Sequence, residues 1–152
     1  MKETTSSMWT FQMIILFILI FAAFLALILV YSKAFTIKNR FLSIIEKYDG
    51  VTNESFEIMN HYALNHHYSA KAPCPNDVKI WYGVNLATGD FEVSNGGKSY
   101  NYCVSPNVDE KGLLYYNIVV FYRFSLPVLN SLGSYRIDGR TTSFRPSNDR
   151  II

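Results

Sequence analysis

Hydrophobic and polar positions divide this chain into three successive regimes. In the first, residues 13–30 are apolar at every one of eighteen positions, and Phe11 and Tyr31 extend the run. At about 1.5 Å rise per residue, some 19 helical residues cover roughly 28 Å, close to the hydrocarbon thickness of a bilayer. Fourteen of the residues from 13 to 30 are Leu, Ile, Phe or Val. At about −0.3 to −0.6 kcal/mol each, they favour insertion by roughly 4–8 kcal/mol with no charge opposing them. Trp9 and Tyr31 stand at the two ends, where amphipathic rings prefer the headgroup layer.

The second regime follows without a break. Ile37, Phe41, Ile44, Ile45 and Tyr48 recur on one helical face, with Lys38, Asn39, Ser43, Glu46 and Lys47 assigned to the other. No Gly or Pro occurs between Trp9 and Asp49, so one helix of about 40 residues is expected to run to a stop at Gly50. A second helix is expected from Asn53 to Tyr68, capped by Thr52 or Asn53, with Phe56, Met59 and Ala63 as its apolar stripe.

In the third regime the period changes to strands. Expected strands cover residues 78–86, 91–93, 100–104, 113–126 and 135–144. Between them, Thr88-Gly89-Asp90 and Asn95-Gly96-Gly97 carry turn chemistry, the latter read as a hairpin, and residues 107–112 and 129–133 read as loops. Short turns imply an antiparallel meander, with Pro127 ending the long strand or lying at an edge. The expected organisation is a leader over 1–8, a transmembrane helix over 9–31, an amphipathic extension over 32–50, a small α+β domain over 51–145, and a frayed tail over 146–152.

A cleavable signal is the competitor to a permanent anchor. Lys2 supplies a charged start and Ser32-Lys33-Ala34 a small-x-small pattern. The apolar run exceeds the 7–15 residues typical of a signal, and Lys33 sits inside the cleavage pattern, so an uncleaved single-pass anchor in contact with membrane lipid is expected.

Charge and cysteine content disagree about the side on which the domain lies. Lys33, Lys38, Arg40 and Lys47 follow the span closely, which by the positive-inside rule favours the cytoplasm. The chain's two cysteines, Cys74 and Cys103, both fall in loop-like surroundings of the domain, the pattern of a disulfide in an exported protein rather than of two free thiols. An extracytoplasmic domain with a Cys74–Cys103 disulfide is the expectation. The near-even balance of 13 Lys or Arg against 11 Asp or Glu over residues 33–152 gives no concentrated basic face, so nucleic acid is not an expected partner.

Catalytic chemistry finds little support. His61, His66 and His67 lie at about 140° and 100° to one another on a regular helix and do not converge on one metal. Two cysteines with no second pair make a poor zinc set, so no metal or cofactor is expected. Asn95-Gly96-Gly97-Lys98-Ser99 lacks the leading glycine and following helix of a phosphate loop, no Gly-x-Ser-x-Gly elbow occurs, and Asp109-Glu110 reads as a solvated turn. Asn53-Glu54-Ser55 matches an N-glycosylation acceptor, relevant only to a eukaryotic secretory route. The chain is expected not to be an enzyme.

The layout resembles type IV pilin-like proteins, and among them the TadE-like pseudopilins and minor pilins of tight-adherence-type systems. The residues that carry the resemblance are the span over 13–30, the helix end Ile44-Ile45-Glu46-Lys47-Tyr48-Asp49-Gly50, and the late segment Ile118-Val119-Val120-Phe121-Tyr122-Arg123-Phe124-Ser125-Leu126-Pro127. The resemblance implies assembly or priming of a filament at the cell surface, with other pilin-like subunits or assembly-platform proteins as partners. It also implies an assembly helix along Ala22, Ala23, Ala26, Ile37, Phe41 and Ile45, the alanines permitting close helix approach. The chain departs from the family's pattern in having no glycine before Trp9 and no acidic residue between Trp9 and Ile45, so peptidase processing and charge registration of subunits do not carry over. A membrane-anchored binding module is the alternative function.

Overall fold

The computed structural model describes residues 2–124, 133–146 and 148–152, with side chains from Ser7 onward. Helix α1 runs from Lys2 to Lys47, and α2 from Asn53 to Asn65. Among the described residues five strands follow: β1 (Tyr82–Asn85), β2 (Asp90–Val93), β3 (Tyr102–Val108), β4 (Leu114–Arg123) and β5 (Ser134–Arg140). The layout is the expected α+β arrangement of a long helix, a short helix and one antiparallel sheet.

Helix α1 begins earlier than the sequence suggested, because its 46 residues take in most of the expected leader. Over Ser7–Lys47 it is a candidate membrane span, with a mean hydropathy of 3.4 in its most apolar window and none of that window covered by the fold. From Ser7 onward, Ala34 is its first buried residue; from there Ile37, Phe41, Ile44 and Ile45 turn into the core. The helix ends with Asp49 in the left-handed region (φ 51°) and the Gly50 N–H donating to the Ile45 carbonyl at 3.0 Å. Asp49, not Gly50, is thus the left-handed residue of a Schellman-type stop, a conformation Asp tolerates.

Helix α2 opens on a capping box in which Thr52 Oγ1 accepts from the Ser55 N–H at 3.1 Å and Ser55 Oγ accepts from the Thr52 N–H at 2.8 Å. It stops three residues short of the expected Tyr68. His67 adopts φ 50°, and the Tyr68 N–H donates to the Ala63 carbonyl at 3.0 Å, a second Schellman-type end. This reversal releases the Tyr68 ring to the sheet.

All strand pairings are antiparallel, but the order is β2-β1-β3-β4-β5, not the expected meander. The β1–β2 hairpin turns at Thr88-Gly89, with Gly89 at φ 72°. The chain then passes β1 and pairs β3 on its far side, so Asn95-Gly96-Gly97 is a turn within this connection instead of a hairpin. Strand β3 continues through Pro106 to Val108, into the expected loop. Beyond Val104 it has no β1 partner, so a residue without an N–H is tolerated there. Pro127, the end of the long run at Leu126 and the loop over 129–133, apart from Gly133, lie outside the described residues.

Both faces of the sheet are covered. Helices α1 and α2 pack on one, where Val84, Tyr102, Val104, Tyr116, Ile118, Val120 and Ile137 meet Phe41, Ile45 and Met59. Residues 69–81 strap the other, with Ala72, Cys74, Trp81, Tyr100, Cys103, Val119 and Phe121 forming a smaller core. Burial of alternate β4 residues on opposite faces explains the unbroken apolar run Ile118-Val119-Val120-Phe121. Cys74 and Cys103 form the expected disulfide, which ties the strap to β3. Two glycines permit close approaches. The Tyr100 ring lies flat on Gly83, where an added Cβ would fall 2.3 Å from ring carbon, and Lys38 and Leu42 of α1 pack over Gly139 of β5.

The C-terminal residues are not frayed. The Ile151 N–H donates to the Val51 carbonyl at 2.8 Å, and the Tyr116 hydroxyl to the Ile152 carbonyl at 2.7 Å. Lys38 also departs from its assignment to the polar face. It is only 9% exposed, its stem lying across Gly139 and its ammonium 4.3 Å from the Phe35 ring centre.

Candidate functional site

The distinctive feature of the surface is the bare apolar half of α1 and the junction where it enters the domain. Trp9 is 69% exposed and Tyr31 43%. They lie 22 positions apart, about 33 Å along a helix axis, a distance comparable with the hydrocarbon thickness of a bilayer. Of the expected assembly positions, Ala22 and Ala26 are exposed and Ala23 partly so. Ile37, Phe41 and Ile45 are at most 1% exposed. They serve this chain's own core and present no surface to a neighbouring copy, since one helical stripe cannot face both the sheet and a partner.

Strand β4 runs antiparallel to α1, which brings its end back to the junction. There the Tyr31 ring meets Tyr122 edge-on at 5.9 Å, and Tyr122 stacks on Tyr135 at 5.5 Å. Beside them opens a cleft of about 260 Å³ whose lining includes Val30, Lys33, His67, Tyr68 and Arg123. The Lys33 ammonium lies 3.5 Å from the His67 carbonyl oxygen, at the limit of a hydrogen bond.

Behind this cleft the sheet is closed by one phenol. Strand β3 begins opposite Val120, leaving Phe121 without a backbone partner on that side. The Tyr68 hydroxyl takes that place: it accepts from the Phe121 N–H at 2.8 Å and lies 2.7 Å from the carbonyl oxygens of both Phe121 and Asn101. Its burial pushes the phenol's pKa up, against the lowering effect of the bond to Phe121. Asn101 completes the lock, its side chain donating to the Ala70 carbonyl and accepting from the Leu86 N–H. Neither residue stood out in the sequence, because their partners are distant: 53 positions separate Tyr68 from Phe121.

The remaining polar residues have structural duties. His61 contacts Asn65 at 3.0 Å, while His66 Nδ1 lies 2.9 Å from the Tyr62 carbonyl oxygen. The three histidines do not converge, and among the described residues no group of His, Cys, Asp and Glu is placed to hold a metal ion. Ser55 of the Asn53-Glu54-Ser55 acceptor is fully buried, and its hydroxyl is engaged by the Gly50 and Thr52 backbones. Glu46 reaches off α1 to accept from the Thr142 N–H at 2.7 Å, holding the exit of β5. On the strap side, a groove of about 400 Å³ runs between Asp77, Lys79 and the β5 residues Arg136, Asp138 and Arg140.

Comparison of the chain with protein-family models, with curated proteins and with solved structures finds no match.

Proposed function

We propose that this chain is a membrane-anchored, non-catalytic structural subunit or accessory of a surface appendage or secretion system, pilin-like in layout, with its domain outside the cytoplasm. The observation that carries the reading is the division of α1. One half is apolar and uncovered, and the other supplies Ile37, Phe41, Ile44 and Ile45 to the domain core. A helix that merely tethered a domain would not need to be its central packing element. The disulfide between Cys74 and Cys103 supports an oxidising compartment. Contacts between copies would fall on the uncovered half, where Ala22, Ala23 and Ala26 allow backbones to approach.

The test is oxidative crosslinking in native membranes of Ala22→Cys and Ala26→Cys variants, which retain the native disulfide. Self-crosslinked species at these positions, and none with Phe17→Cys on another face, support a packed assembly. A chain that stays monomeric and embedded overturns it. Labelling of a Lys111→Cys variant in intact cells with a membrane-impermeant maleimide reads the side of the domain, and absence of labelling places it in the cytoplasm.

One feature favours a second reading, a bitopic binding module. The groove between the strap and β5 carries Lys79, Arg136 and Arg140 alongside Asp77 and Asp138, a mixed-charge surface suited to a polar partner. Recovery of one stoichiometric partner with the full chain, lost on Arg136→Ala, would favour this module over an assembling subunit.

A further inference from the structure

The junction cleft combines three properties that point to one class of ligand. Its position is fixed by the helix: the apolar run ends at Val30, which lines the cleft, and Lys33 lies only about 4–5 Å further along the axis. With the span in a bilayer, the cleft therefore sits at the depth of lipid headgroups. Its charge has one sign. Lys33 and Arg123 line it, no Asp or Glu does, and neither cation has a carboxylate partner among the described residues. Its walls are held in place, since the Schellman-type turn at His67 and the Tyr68 hydroxyl fix one side to β4 while the Tyr31–Tyr122 edge contact fixes the other.

We propose that this cleft holds the phosphate-bearing headgroup of an anionic phospholipid from the leaflet that α1 leaves. The Lys33 ammonium and Arg123 guanidinium face the phosphate, the guanidinium offering paired N–H donors. The lipid's acyl chains run back along Val30 and the apolar face beneath it. The rings of Tyr31, Tyr122 and Tyr135 flank the site at the level where amphipathic aromatics settle. The lipid thus acts as a wedge between span and domain, fixing the height and rotation of the domain on the membrane. The inference rests on the reading of α1 as a span, but not on assembly into a filament.

The test uses the full chain in nanodiscs of phosphatidylcholine with a minority of phosphatidylglycerol, released into the gas phase for native mass spectrometry. Retained phosphatidylglycerol should be enriched over its bulk fraction. If each cation strengthens anionic-lipid binding about fivefold, the Lys33→Gln/Arg123→Gln variant should lose roughly twenty-fivefold in selectivity. A control of equal charge loss, Lys111→Gln/Arg150→Gln, removes cations from the far end of the domain and should keep the enrichment, with circular dichroism reporting that both variants fold. An embedded chain that retains both lipids in their bulk ratio overturns the proposal, as does equal loss in the distal variant. Displacement of the lipid by inorganic phosphate would assign the cleft to a free anion and overturn it too. A chain that never enters the disc overturns the span itself, a distinguishable failure.

Discussion

Replacing Tyr68 by phenylalanine removes one oxygen atom and tests how the sheet is closed at the junction. In the wild type that oxygen accepts from the Phe121 N–H at 2.8 Å and lies 2.7 Å from two carbonyl oxygens, on a residue 7% exposed. Without it the Phe121 N–H is left buried and unpaired, a penalty of about 1–3 kcal/mol, and a donated hydrogen bond worth about 1 kcal/mol disappears. The ring still fills its place, so no cavity term is added. The expected loss is about 2–4 kcal/mol, a substantial part of the roughly 5–15 kcal/mol that a domain possesses. At about 4 °C per kcal/mol for a domain of this size, the midpoint should fall by roughly 8–16 °C. The assay is thermal unfolding of the full-length chain in a mild non-ionic detergent with the disulfide intact, followed by near-ultraviolet circular dichroism. Hydrogen exchange should show the Phe121 amide accelerated beyond its neighbours. Tyr62→Phe, on the half-exposed side of α2, should cost less than about 0.5 kcal/mol. A Tyr68→Phe loss as small as that would mean that water, or a shift of the strap, replaces the hydroxyl, and the account of sheet closure would be wrong.

Three further outcomes follow from the packing. Burial raises the pKa values of Tyr68, Tyr102 and Tyr116 above their ordinary value near 10. Above pH 10 the unfolded chain loses these protons while the native one keeps them, so stability present below pH 10 falls as pH rises, by up to about 1.4 kcal/mol per pH unit per phenol; a flat urea midpoint between pH 9 and 11 would contradict this. Gly83→Ala should destabilise by about 1–3 kcal/mol or more, because its Cβ meets the buried Tyr100 ring at 2.3 Å, whereas a Cβ at Gly139 falls 2.9 Å from the Lys38 stem and 3.0 Å from a Leu42 methyl, aliphatic groups that can shift further than a packed ring, and should cost less than Gly83→Ala; equal urea midpoints would refute the distinction. Reduction of Cys74–Cys103, which closes a loop with a sequence separation of 29, should cost about 3–4 kcal/mol in the chain-entropy model, read as a lower melting temperature in reductant than in buffer.

The features legible in the sequence were those set by local chemistry. A run without charge or helix breaker, followed by one apolar stripe, announced α1 and its change of environment, and two cysteines in an otherwise cysteine-free chain announced their bond. What escaped depends on distant partners. The turn residues at Asn95-Gly96-Gly97 specify a reversal but not which strand lies on the far side of it, so β1 between β2 and β3 could not be read from turn chemistry. Lys38 scores as polar by its head, while its buried stem follows from the absence of a side chain at Gly139, 101 positions away. The tail over 146–152 is largely polar and looks unanchored until Tyr116 and Val51 are brought beside it. At the junction, Lys33 was visible as a flanking cation and Tyr31 as a ring at the interface. Arg123 joined them only through the antiparallel return of β4.

Because α1 passes unbroken from its bare half into the core, nothing between them acts as a swivel. If the bare half is embedded as proposed, any lean of it is handed to the whole domain. For a lean of about 20°, the roughly 24 Å of helix between Tyr31 and Lys47 carries its outer end sideways by about 8 Å. If the bare half spans a bilayer as proposed, bilayer thickness, by favouring or opposing that lean, influences where the loops farthest from the lipid point. A domain built this way would then take its aim from the surrounding membrane.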